Sequence, residues 1–267
     1  MKVHNNAHSH GVSWWSVQGK AKDYLKFLLV RHPFSRLWSA YLDKLFLPDF
    51  WKQVGTNVAW KVRGPGSDKR GRTCGSDIKF REFVEYSLLV HEPHWDPIYR
   101  RCDPCQFKPA VVGSLKTFER DSFVILKRMG LEWVLKGVDH QGQKEKELTT
   151  LIDYNFNLMR SRLPFYKLCT NDTHLAGLLW RTFQMNGYIP NTSKYPSPPP
   201  GPFSVEKFKS QVLETFRASL PLKGELEKQR HEAFREAWSS LPPELTDLVK
   251  AKYRLDMLYF GFDDDNY

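Results

Sequence analysis

A short apolar run, Tyr24–Arg31 (YLKFLLVR), stops at His32-Pro33 and passes directly into a helical pattern. Proline cannot continue a ladder and disfavours helix in the residue before it, so the run predicts a buried parallel strand that ends at the proline. From Phe34 onward the apolar residues Leu37, Trp38, Tyr41, Leu42 and Leu45 recur at steps of three and four, one face of a helix. Strand, tight turn and helix in immediate succession mark an α/β protein, whose ligands sit beyond the carboxyl ends of parallel strands.

The rest of the chain fits around that unit. A length of 267 residues suits one large α/β domain or two small ones. Residues 1–22 are polar and poorly defined. Residues 61–76 combine five basic residues with four glycines and read as an exposed loop. Asp77 is placed to cap a helix carrying Phe80, Phe83, Val84 and Leu88. A short strand is expected around Ala110–Val112, then a helix over Phe118–Met129 stopped by Gly130. Residues 140–202 read as an irregular insert ending in the proline-rich Tyr195–Pro202. Helices are expected at Val205–Leu220, Glu225–Leu241 and Leu245–Tyr253, before an acidic tail at 263–267. The main domain is thus 23–262.

The chain has 40 Lys+Arg against 30 Asp+Glu, a net charge of +10. Such a balance suits an anionic partner (nucleic acid, acidic lipid, nucleotide or sulfated glycan) or simply a solvated basic face. No zinc-finger spacing or RRM signature supports nucleic acid. Apolar runs such as Phe27–Val30 fall far short of the ~20 residues that span a bilayer, and no signal-peptide pattern opens the sequence. Four cysteines permit two disulfides. Cys102-x-x-Cys105 has three readings: a disulfide framework, a zinc site with Cys74 and His94, or a redox pair. Two Asn-x-Ser/Thr sequons, at Asn171 and Asn191, lean toward a secretory lumen.

The densest chemistry lies in Arg31-His32-Pro33-Phe34-Ser35-Arg36-Leu37-Trp38-Ser39-Ala40-Tyr41. Arg31, at a strand end, can fork onto a phosphate, and Ser39 can add a hydroxyl donor. Alternatively, the arginine binds a carboxylate and the serine its own helix backbone. This stretch, R-x-P-F-x-R-L-x-S-A-Y, resembles the 3′-phosphate-binding motif of Golgi carbohydrate sulfotransferases, and most closely the group holding the HNK-1, chondroitin and dermatan 4-O-sulfotransferases. Further matches follow in order. They are Asp77-Ile-Lys-Phe80-Arg-Glu-Phe83, His94-Trp95 with Cys102-Asp-Pro-Cys105, Val112-Gly113 with Thr117 and Asp121, and Tyr253-Arg-Leu-Asp256 with Phe260-Gly261-Phe262.

The resemblance implies a P-loop-like sulfotransferase fold: a central parallel sheet flanked by helices, with a helical C-terminal part. It also implies transfer of a sulfuryl group from 3′-phosphoadenylyl sulfate (PAPS) to a glycan hydroxyl, with no metal and no nucleic acid. Residues Arg31 to Ser39 would bind the donor, and the four cysteines would form structural disulfides in the Golgi lumen. The full-length form would be a type II single-pass membrane protein. His94 is the candidate general base, ahead of His32 and Glu92, because imidazole titrates near neutral pH. Lys44 is a candidate for positive charge toward the donor, or a solvated helix residue.

The match has gaps. The family's P-K-[VA]-[GAS]-C/S-[TS] loop, which holds the 5′-phosphosulfate, has no counterpart among the first 30 residues beyond a faint echo at Met1–Asn6. Ser114 and Lys116 stand where the family has Lys and Glu. The expectation is an N-terminally incomplete enzyme, inactive or poorly active as a 267-residue chain; the alternative is an inactive sulfotransferase-fold binding protein. A zinc-stabilised nucleic-acid binder is a third reading and requires metal at Cys74, His94, Cys102 and Cys105.

Overall fold

The computed structural model describes residues 24–66, 68–195 and 202–262. The polar N-terminal segment, the acidic tail and most of the proline-rich stretch lie outside them. The regular elements, in chain order, are β1 (Phe27–Val30), α1 (Pro33–Tyr41), α2 (Thr56–Arg63), α3 (Lys69–Cys74), α4 (Phe80–Leu89), α5 (Ile98–Cys102), α6 (Pro104–Phe107), β2 (Val111–Ser114) and α7 (Phe118–Arg128). Then follow α8 (His140–Ser161), α9 (Leu163–Cys169), α10 (Asp172–Met185), α11 (Val205–Ser219), α12 (Lys223–Ser239) and α13 (Pro243–Phe260). The fold is mostly helical with a small parallel sheet, consistent with the α/β class.

Several expectations need correction. Residues 140–195 are not irregular, because α8, α9 and α10 occupy most of them. In α8 the apolar positions Leu148, Ile152, Phe156 and Met159 keep helical spacing behind two polar turns, and all four are buried. The basic stretch 61–76 is not wholly loop either: it holds the end of α2 and the short α3, capped by Asp68. Helix α4 starts after Lys79 rather than after Asp77; Glu82 reaches back to the Lys79 backbone N–H, so the cap falls two residues later. The last helix runs on to Phe260.

The chain divides into two compact units. Of the described residues, 24–31 and Ile98–Val138 form one, and His32–Pro97 with 139–262 form the other. In the first unit, β1 and β2 pair in parallel, Phe27 opposite Val111 and Val30 opposite Ser114. Helix α7 packs on β2 at Gly113, where a Cβ would come within 2.8 Å of both the Asp121 Cβ and a Leu29 methyl. Glycine is therefore required for the close approach. The Asp121 carboxylate then accepts from the Ser114 backbone N–H at 2.9 Å and from the Thr117 hydroxyl. This accounts physically for the Gly113/Thr117/Asp121 spacing. The unit's apolar burial is thin: Val30, Ile98 and Ile125 are buried, while Phe27, Val112, Phe118, Phe123 and Trp133 are exposed. A parallel sheet is normally covered on both faces.

The second unit holds two aromatic-rich cores. One gathers Phe34, Leu37, Trp38 and Tyr41 of α1 with Phe80 and Phe83 of α4, Trp95, Trp238 and Tyr253. The other joins Trp51 to Ile152, Phe156, Tyr166, Phe183, Phe208 and Phe216. A disulfide links Cys74, at the end of α3, to Cys169, at the end of α9, across 95 residues. Both partners were among the cysteines expected to form bridges. Cys74 is thereby removed from the zinc set; among the described residues no cluster of three or more His, Cys, Asp or Glu is placed to hold a metal.

Closing so long a loop restricts the unfolded chain. Replacing both Cys74 and Cys169 by alanine should lower stability by about 4–5 kcal/mol in the loop-entropy account, measured by urea unfolding under non-reducing conditions. A second prediction concerns pH. The Thr117 hydroxyl, the Ser114 N–H and Arg120 hold the Asp121 carboxyl down at about 2. A depressed carboxyl stabilises above its unfolded pKa of about 4 and loses that contribution as pH falls toward the folded value. Asp121→Asn should therefore flatten the fall in stability between about pH 4 and 2, measured by thermal melts across that range.

Candidate functional site

The turn after β1 shows why the motif has its sequence. His32 caps α1: its Nδ1 accepts from the Phe34 N–H at 3.3 Å, and Pro33 occupies the first helical position, where no N–H is needed. The His32 ring is buried, stacked on Phe34 and edge-on to Phe262, so the Phe260-Gly261-Phe262 segment packs against this turn. Pro33, Phe34, Leu37 and Trp38 are buried. These five predicted donor-binding residues are thus committed to the cap and the core.

The polar members differ. Ser35 and Ser39 are one helical turn apart on α1 and half-buried, forming a hydroxyl stripe. Ser39 is the seventh of nine helix residues, so an anion there would lie on the helix flank rather than at its N-terminus. Among the described residues its hydroxyl has no hydrogen-bond partner, and the first turn of α1 carries no carboxylate. Arg31, half-buried, immediately precedes the cap.

Arg36 is spent elsewhere. Its Nη2 donates to the Asp96 carbonyl oxygen, with a longer contact of 3.4 Å to that of Trp95, and the guanidinium lies 5.9 Å from the Tyr253 ring centroid. Its Nε is buried without a partner. The Tyr253 hydroxyl donates to the same Trp95 carbonyl. Burial, opposed by the nearby Arg36 charge, pushes that hydroxyl's pKa up, so it stays a donor. Arg36 therefore braces the loop that carries His94.

That loop is a tight turn, with the Trp95 and Asp96 N–H groups both donating to the Glu92 carbonyl. The Glu92 carboxylate accepts from the His94 N–H at 2.7 Å and meets the His94 Nδ1 at 2.8 Å. An ionised carboxylate at Nδ1 requires a proton there, which leaves Nε2 of a neutral ring as the acceptor. Phe50 supports the ring edge-on at 5.2 Å. Trp95, fully buried, donates its indole N–H to the Val90 carbonyl at 3.0 Å. His94 itself is about one-third exposed.

Lys44 fits neither reading made of it. It is buried, 2.6 Å from Asp49 and 3.0 Å from Asp43, with Tyr154 donating to the other Asp49 oxygen at 2.7 Å. Burial opposes its charge, but the two carboxylates outweigh it and hold the amine above its ordinary value. Its charge is already matched. The sequence pattern did not expose this, nor Arg36's role, because the decisive partners are distant in the chain or buried by it.

With this geometry in view, comparison with known proteins is informative. A family model described as "Sulfotransferase family" matches residues 2–185. The chain belongs to that family. It is similar to carbohydrate sulfotransferase 11 of Rattus norvegicus, 37% identical over 130 residues that cover 45% of this chain and 37% of that protein. It also resembles carbohydrate sulfotransferase 14 of Danio rerio, 33% identical over 43% of this chain and 32% of the relative. Carbohydrate sulfotransferase 8 of Mus musculus is 38% identical over 39% of this chain and 26% of the relative. The matches thus span about a third of the relatives' length. No solved structure matches.

Arg36→Ala should cost about 2 kcal/mol of stability, the scale of hydrogen bonds from a charged donor. Arg36→Lys should recover little of it, because an ammonium does not reproduce the planar guanidinium over Tyr253. Chemical denaturation of the three proteins measures both.

Proposed function

We propose that the protein transfers a sulfuryl group from PAPS to a hydroxyl of a glycan of the chondroitin or dermatan type or a related one. The observation that carries this is the family match over residues 2–185, which takes in the Arg31–Ser39 segment and the Glu92–His94 pair. The residues present suit the 3′-phosphate end of the donor: an arginine at a strand end, a Ser39 hydroxyl with no partner among the described residues and a helix turn without carboxylates. When bound, the donor supplies an electrophilic sulfur: the acceptor oxygen forms the new S–O bond while the bond to the 5′-phosphate breaks, its electron pair leaving with the nucleotide.

The chain's own residues have separate parts in this reading. Arg31 and Ser39 hold the 3′-phosphate. His94 Nε2 takes the proton of the acceptor hydroxyl, and Glu92 fixes the ring through Nδ1 and stabilises the imidazolium that results. Arg36 and Tyr253 are positioning residues, acting on His94 through the Trp95 and Asp96 carbonyls. The proposed setting is the Golgi lumen, with the membrane reached through an anchor in the full-length form. It fits the Cys74–Cys169 bridge and the exposure of both sequon residues, Asn171 and Asn191.

The test separates binding from chemistry. Calorimetric titration with 3′-phosphoadenosine 5′-phosphate should show binding that Arg31→Ala and Ser39→Ala each weaken by about tenfold, or 1.4 kcal/mol. Transfer of radiolabelled sulfate from PAPS to desulfated chondroitin should fall by about a hundredfold or more in His94→Gln, with nucleotide affinity unchanged. Glu92→Gln should lower transfer less. No nucleotide binding by the folded chain would reject the donor site, and full activity in His94→Gln would reject the base.

A further inference from the structure

An open cleft of about 170 Å³ lies in the second unit, away from α1 and the His94 loop in sequence. Tyr188, half-buried, lines it and meets the buried Phe216 edge-to-face at 6.4 Å, with Leu226 buried beside them. Its rim carries three cations, Lys144 from α8 with Lys223 and Arg230 from α12, and one carboxylate, Glu227. Burial, with the nearby Glu147 carboxylate, pushes the Tyr188 hydroxyl's pKa up.

The cleft is firmly built. Gly187, at φ +70°, lets the turn after α10 approach α12 so closely that a Cβ would come within 2.5 Å of the Leu226 carbonyl oxygen. Gln229 clamps the same turn, donating to the Gln184 and Ile189 carbonyls and accepting from the Asn191 N–H. The cations have no such employment. Arg63, Lys209 and Arg217 are held in ion pairs, whereas among the described residues Lys144, Lys223 and Arg230 make neither an ion pair nor a hydrogen bond.

Lys223 and Arg230 are seven residues apart on one helix, about 10 Å along its axis. Charges spaced in this way match an anion whose charge repeats along its length better than they match a single phosphate. A half-buried tyrosine, Tyr188, beside a cationic rim also suits the apolar face of a sugar ring that bears an acidic group. We infer that this cleft is an anchoring site for an anionic oligosaccharide, such as a uronate-containing segment of the acceptor glycan, separate from the reacting hydroxyl. The acceptor role rests on the proposed glycan sulfotransfer; binding itself does not need the donor.

The experiment is calorimetry on the full chain without nucleotide, using unsulfated chondroitin tetrasaccharide and neutral maltotetraose as probes. The chondroitin probe should bind, and the double variant Lys223→Glu/Arg230→Glu should weaken it by about tenfold or more. A control pair outside the cleft, Lys116→Glu/Lys207→Glu, makes the same change in net charge and should leave affinity within about threefold. Circular dichroism melts check that both variants fold. Equal losses in the two pairs would reduce the effect to general charge and overturn the site. So would equal binding of maltotetraose, or no binding of chondroitin by the unmodified chain. Retained chondroitin binding in a chain that neither binds 3′-phosphoadenosine 5′-phosphate nor transfers sulfate would reject the enzymatic reading and keep the cleft.

Discussion

The loop that carries Glu92 and His94 depends on one guanidinium. Arg36 sits in a helix whose other face is core, yet it reaches across to the Trp95–Asp96 backbone some 60 residues later. Tyr253, from the last helix, completes the knot by donating to the Trp95 carbonyl. Three segments far apart in sequence are thereby fixed at the loop that bears Glu92 and His94. Backbone carbonyls buried beside Trp95 need donors, and the motif's second arginine supplies them. Its presence between Arg31 and Ser39 is thus explained by support of a neighbouring loop.

The parts legible in sequence were those decided locally. The strand before His32-Pro33, the helix after it and the stop at Gly130 follow from steric rules that act over a few residues; the structure has all three, but the strand is only Phe27–Val30 and buried at Val30 alone. His94 was singled out by residue type, ahead of Glu92 as a base; that the two pair comes from the turn in the structure. Misreadings arose where distant partners decide. Helix α8 begins with polar turns and Gly142, and its helical spacing starts only at Leu148, where burial against α10 and α11 takes over. Helix α3, six residues with Gly71 inside it, is too short for propensity to reveal; the bridge from Cys74 helps to hold it. Lys44 follows Asp43 on a helix and looks solvated until Asp49 and Tyr154 fold over it.

The two units differ in kind. The second buries aromatic side chains in two clusters and spends its charges in paired networks, such as Arg63 with Asp77 and Glu82. The first relies on a four-residue parallel pairing and the Asp121 carboxylate, with much apolar surface open. Among the described residues its strands leave Phe27 and Val112 exposed, where a parallel sheet is ordinarily covered.

The disulfide also sets what becomes of a broken chain. Cys74 and Cys169 flank the whole excursion through Ile98–Val138, including the exposed glycines Gly130 and Gly137. A protease that cuts at either glycine severs the backbone but leaves the two halves covalently joined. Such a nicked molecule keeps its mass on a non-reducing gel and separates only when the bridge is reduced, so apparent integrity and an intact backbone are different properties in this protein.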